Sequence, residues 1–282
     1  MRGKEQARIN SLLAAMPLAV RERIGPQLET VWLNLGDTVP EPGIHNGHLH
    51  FPLTAIVSIV YVLHDGASGE VAQIGHEGML GLSLFMGGHS RLTRAMVQTS
   101  GFALRLRAQH LATEMGQPGP LLNLMLRYHQ ALNLQTTQIA ACNRRHHIEQ
   151  QLCRWLLGSL DRLPGNDLEI THEFLSTILG VRREAITVAA RKLQAEGLIH
   201  CRRAHISVVD RAGLEAKACE CYRLVKNEMN RLLPTPSLDW NPAQRIAPGL
   251  ERGDYPLPTA SGARLSGSAG RGVTSRSGFT LA

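Results

Sequence analysis

Two stretches of helical periodicity meet at Gly180 in the second half of the chain. The first predicts a helix over about 172–179, with Thr171 as its N-cap. The second predicts a helix that begins at residue 182 or 183 and ends at Gly197, since glycine readily takes the left-handed conformation that follows a helix. The apolar positions that carry the two patterns are Phe174, Leu175, Ile178 and Leu179, and then Ile186, Ala189, Ala190 and Leu193.

Short apolar runs follow the second helix and are separated by a basic segment. Residues 198–199 and 206–209 predict two strands, and residues 200–205 predict the turn between them. Two helices joined at a glycine and followed by a basic hairpin are the layout of a winged helix-turn-helix. Residues 170–209 therefore predict a DNA-binding domain.

The predicted second helix carries charged residues at its N-terminal end, where a helix-turn-helix reads DNA. Arg183 can pair bidentately with guanine and Glu184 can accept from cytosine N4, while the arginines of the hairpin would lie beside phosphates. The residues predicted to contact DNA are Arg182, Arg183, Glu184, Thr187, Arg191, Arg202 and Arg203. A helical hairpin with a solvated basic face is the alternative; we favour DNA because glycine position, apolar spacing and wing agree.

The first half of the chain has a different texture. Residues 6–16 and 18–28 predict two short helices separated by Pro17, and from about residue 31 short apolar runs alternate with turn residues. This alternation is typical of a β-sandwich or barrel. The predicted strands are 31–35, 49–51, 56–63, 71–74, 95–97 and 102–106, with a hairpin that pairs 56–63 with 70–74.

Between residues 120 and 163 the pattern becomes helical again, and one stripe repeats at alternating intervals of four and three residues. Its positions are Leu121, Met125, Tyr128, Leu132, Gln135, Ile139 and Cys142. Because a helix-turn-helix usually reads two half-sites through a two-fold axis, we favour packing of this stripe against a second copy of the chain. The alternative is an ordinary stripe that packs on its own domain, since Tyr128 and Gln135 weaken the seam.

Composition narrows the classes of protein. A chain of 282 residues can hold two domains, and its net charge of +7 suits a polyanion, although a membrane surface would also fit. Aromatic residues make up only 4% of the chain, which argues against a protein that binds single-stranded nucleic acid by stacking aromatic side chains on bases. No apolar run approaches the roughly 20 residues of a spanning helix, and the polar N-terminus does not resemble a signal peptide, so we expect a cytoplasmic protein.

After about residue 233 the chain becomes rich in Pro, Gly, Ser and Arg, which predicts a disordered tail. Its arginines Arg264, Arg271 and Arg276 could touch DNA nonspecifically, but a solvated tail explains them more simply.

Two groups of segments resemble the Crp/Fnr family of bacterial transcription regulators. The family's helix-turn-helix is similar to Ile170-Thr171-His172-Glu173 through Gly180-Val181-Arg182-Arg183-Glu184. Its β-roll is similar to His48-Leu49-His50-Phe51-Pro52, Asp65-Gly66 and Gly75-His76-Glu77-Gly78-Met79-Leu80-Gly81. The resemblance covers about residues 12–222.

The resemblance implies an α+β fold. An N-terminal β-roll sensor domain of the cyclic-nucleotide-binding-like type, with its helices, would occupy 1–117, a long dimerisation helix 118–146 and a C-terminal winged helix-turn-helix 147–222. Residues 223–282 would form an extension. The resemblance further implies a homodimer on double-stranded DNA that contacts RNA polymerase and has no cofactor, no catalytic residues and no membrane association.

Departures from the family pattern concern the sensor. Leucine occupies the place of the glutamate that holds the ribose in members that bind cyclic nucleotides. The adjacent Arg-Ser pair that holds the cyclic phosphate in those members is also missing from the segment that follows. The residues of a retained effector pocket would be Gly81, Leu82, Ser83, Arg91 and Arg94. We predict that neither cyclic AMP nor cyclic GMP binds tightly. No cysteine precedes Cys142, which argues against an N-terminal iron-sulfur cluster.

The predicted recognition helix departs as well. Val188 stands where some members carry a third base-contacting arginine, and Arg182 replaces a common serine cap. The operator should therefore differ from that of the family's best-known member.

Three histidines suggest a second function. His48 and His50 would lie on one face of a strand, with His45 nearby, as in the metal site of a cupin-like enzyme. Such enzymes add a glutamate a few residues on, whereas the next glutamate here is Glu70. We therefore favour surface or packing histidines and no metal site.

The five cysteines all lie in the second half and fit a reducing compartment better than a disulfide framework. We expect Cys219 and Cys221 to be structural, because residues two apart on a helix point away from each other. Cys142 and Cys153 flank a basic run at 144–147, which would lower a thiol pKa, so a redox role is an alternative.

Overall fold

The computed structural model describes residues 10–40, 47–85, 93–116, 118–163 and 165–233. Up to β7 its elements are α1 (Ser11–Ala15), α2 (Leu18–Ile24), β1 (Glu29–Leu33), β2 (Thr38–Val39), β3 (His48–Pro52), β4 (Ile56–Val62), β5 (Ser68–Ile74), β6 (Thr93–Thr99) and β7 (Gly101–Arg107). They continue with α3 (Ala108–Met115), α4 (Pro120–Arg145), α5 (Ile148–Leu160), β8 (Asp167–Glu169), α6 (His172–Leu179), α7 (Arg183–Ala195), β9 (Ile199–Arg202), β10 (His205–Val208), α8 (Arg211–Lys217) and α9 (Cys221–Leu232). Part of the first predicted helix, His45, Arg91 and the predicted tail beyond residue 233 lie outside the described residues.

Two antiparallel sheets form the N-terminal half, in the orders β1-β7-β3 and β2-β6-β4-β5. The predicted hairpin of β4 and β5 is confirmed, with Val57 opposite Ile74 and Val62 opposite Ser68. Apolar residues of both sheets form the core between them, and Leu49 and Phe51 of β3 are fully buried. The short strand β2 was not predicted, because a two-residue strand carries no periodic pattern.

The long helix α4 begins just after Gly119, with Pro120 at its first position, and ends at Arg145. Its periodic stripe lies inside the chain, since Leu121, Met125, Tyr128 and Ile139 are all buried without a second copy. The helix packs against β5 and α9. The prediction that this stripe faces another copy of the chain is therefore wrong, and the alternative of an intramolecular core stripe is correct.

The helix-turn-helix forms as its sequence predicts. Thr171 caps α6 by accepting from the backbone N–H of Phe174, and Gly180 ends the helix with φ +65°, in the left-handed region. The second helix α7 begins at Arg183. The wing is a three-stranded sheet in the order β8-β10-β9, so the predicted hairpin gains a strand from 167–169 that lies before the helices.

The helix-turn-helix also packs against the β4–β5 hairpin. Ile56 and Val60 of β4 belong to the same hydrophobic core as Trp155, Leu175 and the rest of the winged-helix domain. This core joins the two halves of the described chain. No helix in the described ranges has the length and apolar character required to span a membrane.

Gly180 lies directly at this contact. A Cβ atom built on it would approach the carbonyl oxygen of Ser68 to 2.9 Å, and the hydroxyl of Ser68 donates to the carbonyl of Thr177 at 3.1 Å. The turn between the two helices of the motif thus packs directly on the hairpin. A side chain at position 180 would disturb the turn and its contact with Ser68.

Candidate nucleic-acid interface and sensor cavity

The first turns of α7 present an exposed charged surface. Arg183 and Glu184 are exposed, as is Arg182 immediately before the helix. Arg191 lies two turns further along and is also exposed, while Ile186, Ala189, Ala190 and Leu193 are buried on the opposite side. The amphipathic pattern therefore orients α7 so that its basic side faces solvent.

Arg183 is only loosely held in the structure. Its Nε atom lies 3.8 Å from a carboxylate oxygen of Glu173, and both side chains are more than half exposed. An exposed ion pair of this kind contributes little to stability, so the guanidinium can exchange its partner for a nucleic-acid acceptor at small cost.

Thr187 differs from its neighbours because its hydroxyl has partners within the motif. It donates to the carbonyl of Arg183 at 3.1 Å and lies 3.1 Å from Nδ1 of His172. Since the hydroxyl proton is used, Nδ1 of His172 is the donor to Thr187. Burial, and then the charges of Arg183 and Arg191, lower the pKa of His172. Sequence reasoning missed this histidine, which links the two helices of the motif.

The wing adds two cations to the same domain. Arg202 is the last residue of β9, and Arg203 follows it in the turn with Ala204, which has φ 57°. Both arginines are exposed. Val188 is also exposed, at 55%, one turn after Glu184. The predicted DNA contacts thus lie at the surface, apart from Thr187, which is half-buried.

Comparison with known proteins identifies the domain. Residues 150–217 match the family model of the Crp-like helix-turn-helix domain. This part of the chain is a Crp-like helix-turn-helix. A search of curated proteins by sequence finds no significant match.

Solved structures extend the likeness to the N-terminal half. A regulator of the Crp/Fnr family from Eubacterium rectale has a TM-score of 0.59 at 19% identity, over 74% of this chain and 98% of its own. FixK2 from Bradyrhizobium japonicum has a TM-score of 0.58 at 14% identity, over 68% and 98%. CLP, a c-di-GMP-responsive global regulator from Xanthomonas campestris, has a TM-score of 0.54 at 20% identity, over 68% and 99%.

The chain therefore has the α+β fold of Crp/Fnr regulators: a cyclic-nucleotide-binding-like β-roll, a long helix and a helix-turn-helix. Sequence reasoning predicted this fold, and the comparisons confirm it.

The predicted effector-pocket residues are spread over two elements. Gly81 has φ +92° and packs on Leu49, and Leu82 begins a short 3-10 turn in which its side chain is buried. Ser83 of that turn is half-buried, while Arg94 on β6 is exposed. Their role in binding an effector stays a prediction.

A cavity of about 370 Å³ opens elsewhere, between β5, α4, α5 and α9. Its charged wall includes Arg162, which donates to Glu77 at 2.8 Å and to the carbonyl of Gly158 at 2.7 Å. Burial would raise the pKa of Glu77, yet the charge of Arg162 holds it below the usual value. The cavity lies where the sensor half, the long helix and the C-terminal half meet, and sequence reasoning did not find it.

The two histidines of the cupin-like alternative lie beside arginines. His48 pairs across the sheet with Arg107, and His50 pairs with Arg105. Burial lowers the pKa of His50 to about 4, with His48 and Arg105 adding to the effect. Two neighbouring guanidinium groups disfavour a bound cation, so the structure gives no support to a metal site here.

The thiols flanking the basic run differ from each other. The pKa of Cys142 is lowered, mainly by the hydrogen bond with Cys219 and further by Arg154. Burial raises the pKa of Cys153 to about 12. The predicted effect of the basic run therefore fails for Cys153, and for Cys142 it is limited to His146, whose contribution is smaller than those of Cys219 and Arg154.

Proposed function

We propose that this protein is a DNA-binding transcription regulator of the Crp/Fnr type that binds a two-fold-symmetric operator as a homodimer. The recognition helix is α7, and Arg183 and Glu184 contact base edges from its first turn. The observation that carries the proposal is the exposed basic side of α7 within a Crp-like helix-turn-helix. As a regulator of this type it would contact RNA polymerase in the cytoplasm, and it would not need catalytic residues or a cofactor.

The wing would supply contacts that fix position. Arg202 and Arg203 lie at its tip, and Arg182 and Arg191 extend the positive surface on either side of the first turn of α7. Phosphate contacts orient a protein on the duplex without reading sequence. Val188, exposed on the same face, offers the T methyl group an apolar partner in place of a third arginine.

For the dimer we propose the outward side of α4. With one stripe of the helix buried, a second stripe remains at heptad spacing, and it begins with Leu122 and Leu126. Leu126 is 55% exposed, although it lies in the second turn of a long helix and not at its end. The positions of this stripe are Leu122, Leu126, His129, Asn133, Thr136 and Ala140. A second copy packed along it would cover the exposed Leu126 and the half-buried Leu122.

The sensor half is proposed to respond to something other than a cyclic nucleotide. Leu82 is buried where a ribose-binding glutamate would be needed, and its side chain cannot accept a hydrogen bond. Isothermal titration with cyclic AMP and cyclic GMP should show no binding in the micromolar range. A micromolar affinity for either nucleotide would contradict this part of the proposal.

Arg183→Ala tests the central part of the proposal. Fragments bound by the wild-type chain are first selected from genomic DNA, and gel shifts then measure the affinity of wild type and variant for them. Loss of a base-contacting arginine should cost about 1–3 kcal/mol, which is roughly a 5- to 150-fold weaker Kd.

Arg231→Ala is the matched control, since Arg231 is a similarly exposed arginine on α9 that pairs with Glu228. It should bind like wild type. Equal affinities of the Arg183→Ala variant and the wild type would show that Arg183 does not contact the bases. If the wild-type chain selected no fragment at all, DNA binding itself would be contradicted.

A further inference from the structure

Three cysteines and one histidine from two distant segments converge where the end of α4 meets the start of α9. Cys142 and His146 lie at the C-terminal end of α4, and Cys219 and Cys221 lie between α8 and the start of α9. Their four potential ligand atoms all lie within 4.8 Å of one another. Cys142, Cys219 and Cys221 are buried, and the side chain of His146 is 18% exposed. We propose that these four residues bind a single Zn²⁺ ion.

Two distances between the ligand atoms match those of a tetrahedral site. The Sγ atoms of Cys142 and Cys219 are 3.6 Å apart, and Sγ of Cys221 is 3.4 Å from Nδ1 of His146. Zinc bonds of about 2.3 Å to sulfur and 2.0–2.1 Å to nitrogen give tetrahedral edges of about 3.8 Å between sulfurs and about 3.5 Å from sulfur to nitrogen. These two distances are within a few tenths of an ångström of the tetrahedral edges, and since all four atoms lie within 4.8 Å of one another, the other pairs need to close by at most about 1 Å.

The second nitrogen of His146 has the partner that a metal-bound histidine usually has. Its Nε2 atom lies 3.3 Å from a carboxylate oxygen of Glu220. A carboxylate in this position fixes the tautomer, so that Nε2 carries the proton and Nδ1 presents its lone pair to the ion. This contact is independent of the cysteines and points to the same ligand chemistry.

The charges around the cluster also fit a metal-thiolate centre. Three thiolates and one zinc ion carry a net charge of −1, which must be offset in a buried place. The guanidinium of Arg154 acts on Cys142, and the amide of Gln138 donates to Sγ of Cys221 at 3.1 Å. Both groups stabilise negative sulfur. Binding would release the thiol protons, so zinc affinity should rise with pH.

The compactness of the cluster selects among metal centres. Soft thiolates with one imidazole favour zinc over magnesium or calcium, which prefer oxygen. Four ligand atoms within 4.8 Å surround one ion and leave no room for the several irons of an iron-sulfur cluster.

The sequence-based expectation that Cys219 and Cys221 point apart is wrong, because Cys219 precedes the helix instead of lying on it.

The proposal is tested on the full chain, kept reduced and stripped of metal with a chelator. Zinc alone is titrated in competition with a chromophoric chelator, and Co²⁺ is used as a spectroscopic probe of thiolate ligation. We expect one zinc per chain and a thiolate-to-cobalt charge-transfer band. Cys219→Ser and His146→Ala should weaken zinc binding by at least tenfold, and Glu220→Gln by about 10- to 100-fold because it removes the partner of the ligand.

Cys201→Ser is the matched control, since Cys201 is a half-buried cysteine in the wing, outside the cluster. It should keep the stoichiometry and affinity of wild type. The cobalt spectrum of the wild type provides a test that does not depend on any variant folding. Absence of the charge-transfer band, or zinc affinities that are equal in Cys219→Ser, His146→Ala and Cys201→Ser, would overturn the proposal.

Discussion

The indole N–H of Trp155 donates to a carboxylate oxygen of Glu70 at 3.2 Å, and both side chains are buried. Glu70 belongs to the hairpin of the sensor half, and Trp155 belongs to the helix α5 that opens the C-terminal half. Ser58 donates to the same oxygen at 2.7 Å. One carboxyl group therefore links the β-roll to the first helix of the winged-helix domain through a hydrogen bond shielded from water.

Stability should fall with rising pH because of Glu70. Burial raises its pKa to about 7 from 4.5, so the folded chain keeps a proton that the unfolded chain releases. Its contribution is therefore complete below about pH 4.5 and is lost as the pH rises to about 7, by up to about 3 kcal/mol. Glu70→Gln should remove this loss, so urea unfolding should show the variant gaining stability relative to wild type between about pH 5 and 8.

Glu114→Gln is the control for this measurement. The hydrogen bond from Arg23 lowers the pKa of that half-buried carboxyl, so its charge does not change in the same pH range. A difference between wild type and Glu70→Gln that stayed constant with pH would contradict the assignment.

Tyr128→Phe should destabilise the chain. The Tyr128 hydroxyl donates to the carbonyl of Met79 at 2.7 Å and accepts from its N–H at 2.8 Å, all in the core. Loss of the hydroxyl leaves two buried backbone groups without this partner, which should cost about 1–3 kcal/mol in a urea unfolding curve. Tyr61→Phe, on the half-buried end of β4, should cost less. Equal changes in the two variants would show that the Met79 contact contributes nothing.

Leu126→Glu should dissociate the proposed dimer. A carboxylate at the most exposed leucine of the outward stripe of α4 would have to be buried without a partner in the dimer. Light scattering after gel filtration should give the mass of one chain for this variant and of two chains for wild type. Leu18→Glu is the control, since Leu18 is 62% exposed on α2. A dimeric Leu126→Glu variant would place the interface elsewhere.

Arg203→Ala should change the salt dependence of DNA binding rather than the choice of sequence. Removing one arginine–phosphate pair reduces the slope of log K against log salt by about 1. Gel shifts at several salt concentrations, on both selected and unrelated fragments, should show a similar decrease in affinity on each. Arg231→Ala should leave the slope unchanged. A decrease confined to the selected fragments would assign base reading to the wing.

The sequence predicted the helix-turn-helix almost to the residue, because local signals agree there. Thr171 at the N-cap, Gly180 at the turn and the apolar spacing of α7 each favour the same structure. The fold of the N-terminal half followed from the alternation of short apolar runs with turn residues and from the family resemblance. Strand bounds were predicted less closely, since strands such as β5 extend into polar residues.

What the sequence did not predict depends on contacts between distant segments. The buried stripe of α4 shows its period but not its partner, and only the fold reveals that Tyr128 reaches Met79 instead of a second copy. Cys142 and Cys219 are 77 positions apart, so no local spacing indicates that their sulfurs meet. The cavity beside Arg162 likewise arises from four separate elements.

Gly180 is subject to two separate restrictions, each of which narrows the choice of residue differently. The left-handed backbone would admit asparagine as well as glycine, whereas the nearby Ser68 carbonyl admits no side chain at all. Asparagine at this position should therefore be compatible with the fold of the helix-turn-helix but not with its packing against Ser68 of the hairpin. Gly180→Asn should therefore separate the helix-turn-helix from the hairpin without unfolding it. Comparing the DNA affinity of this variant with that of the wild type tests whether DNA binding requires the packed or the separated arrangement.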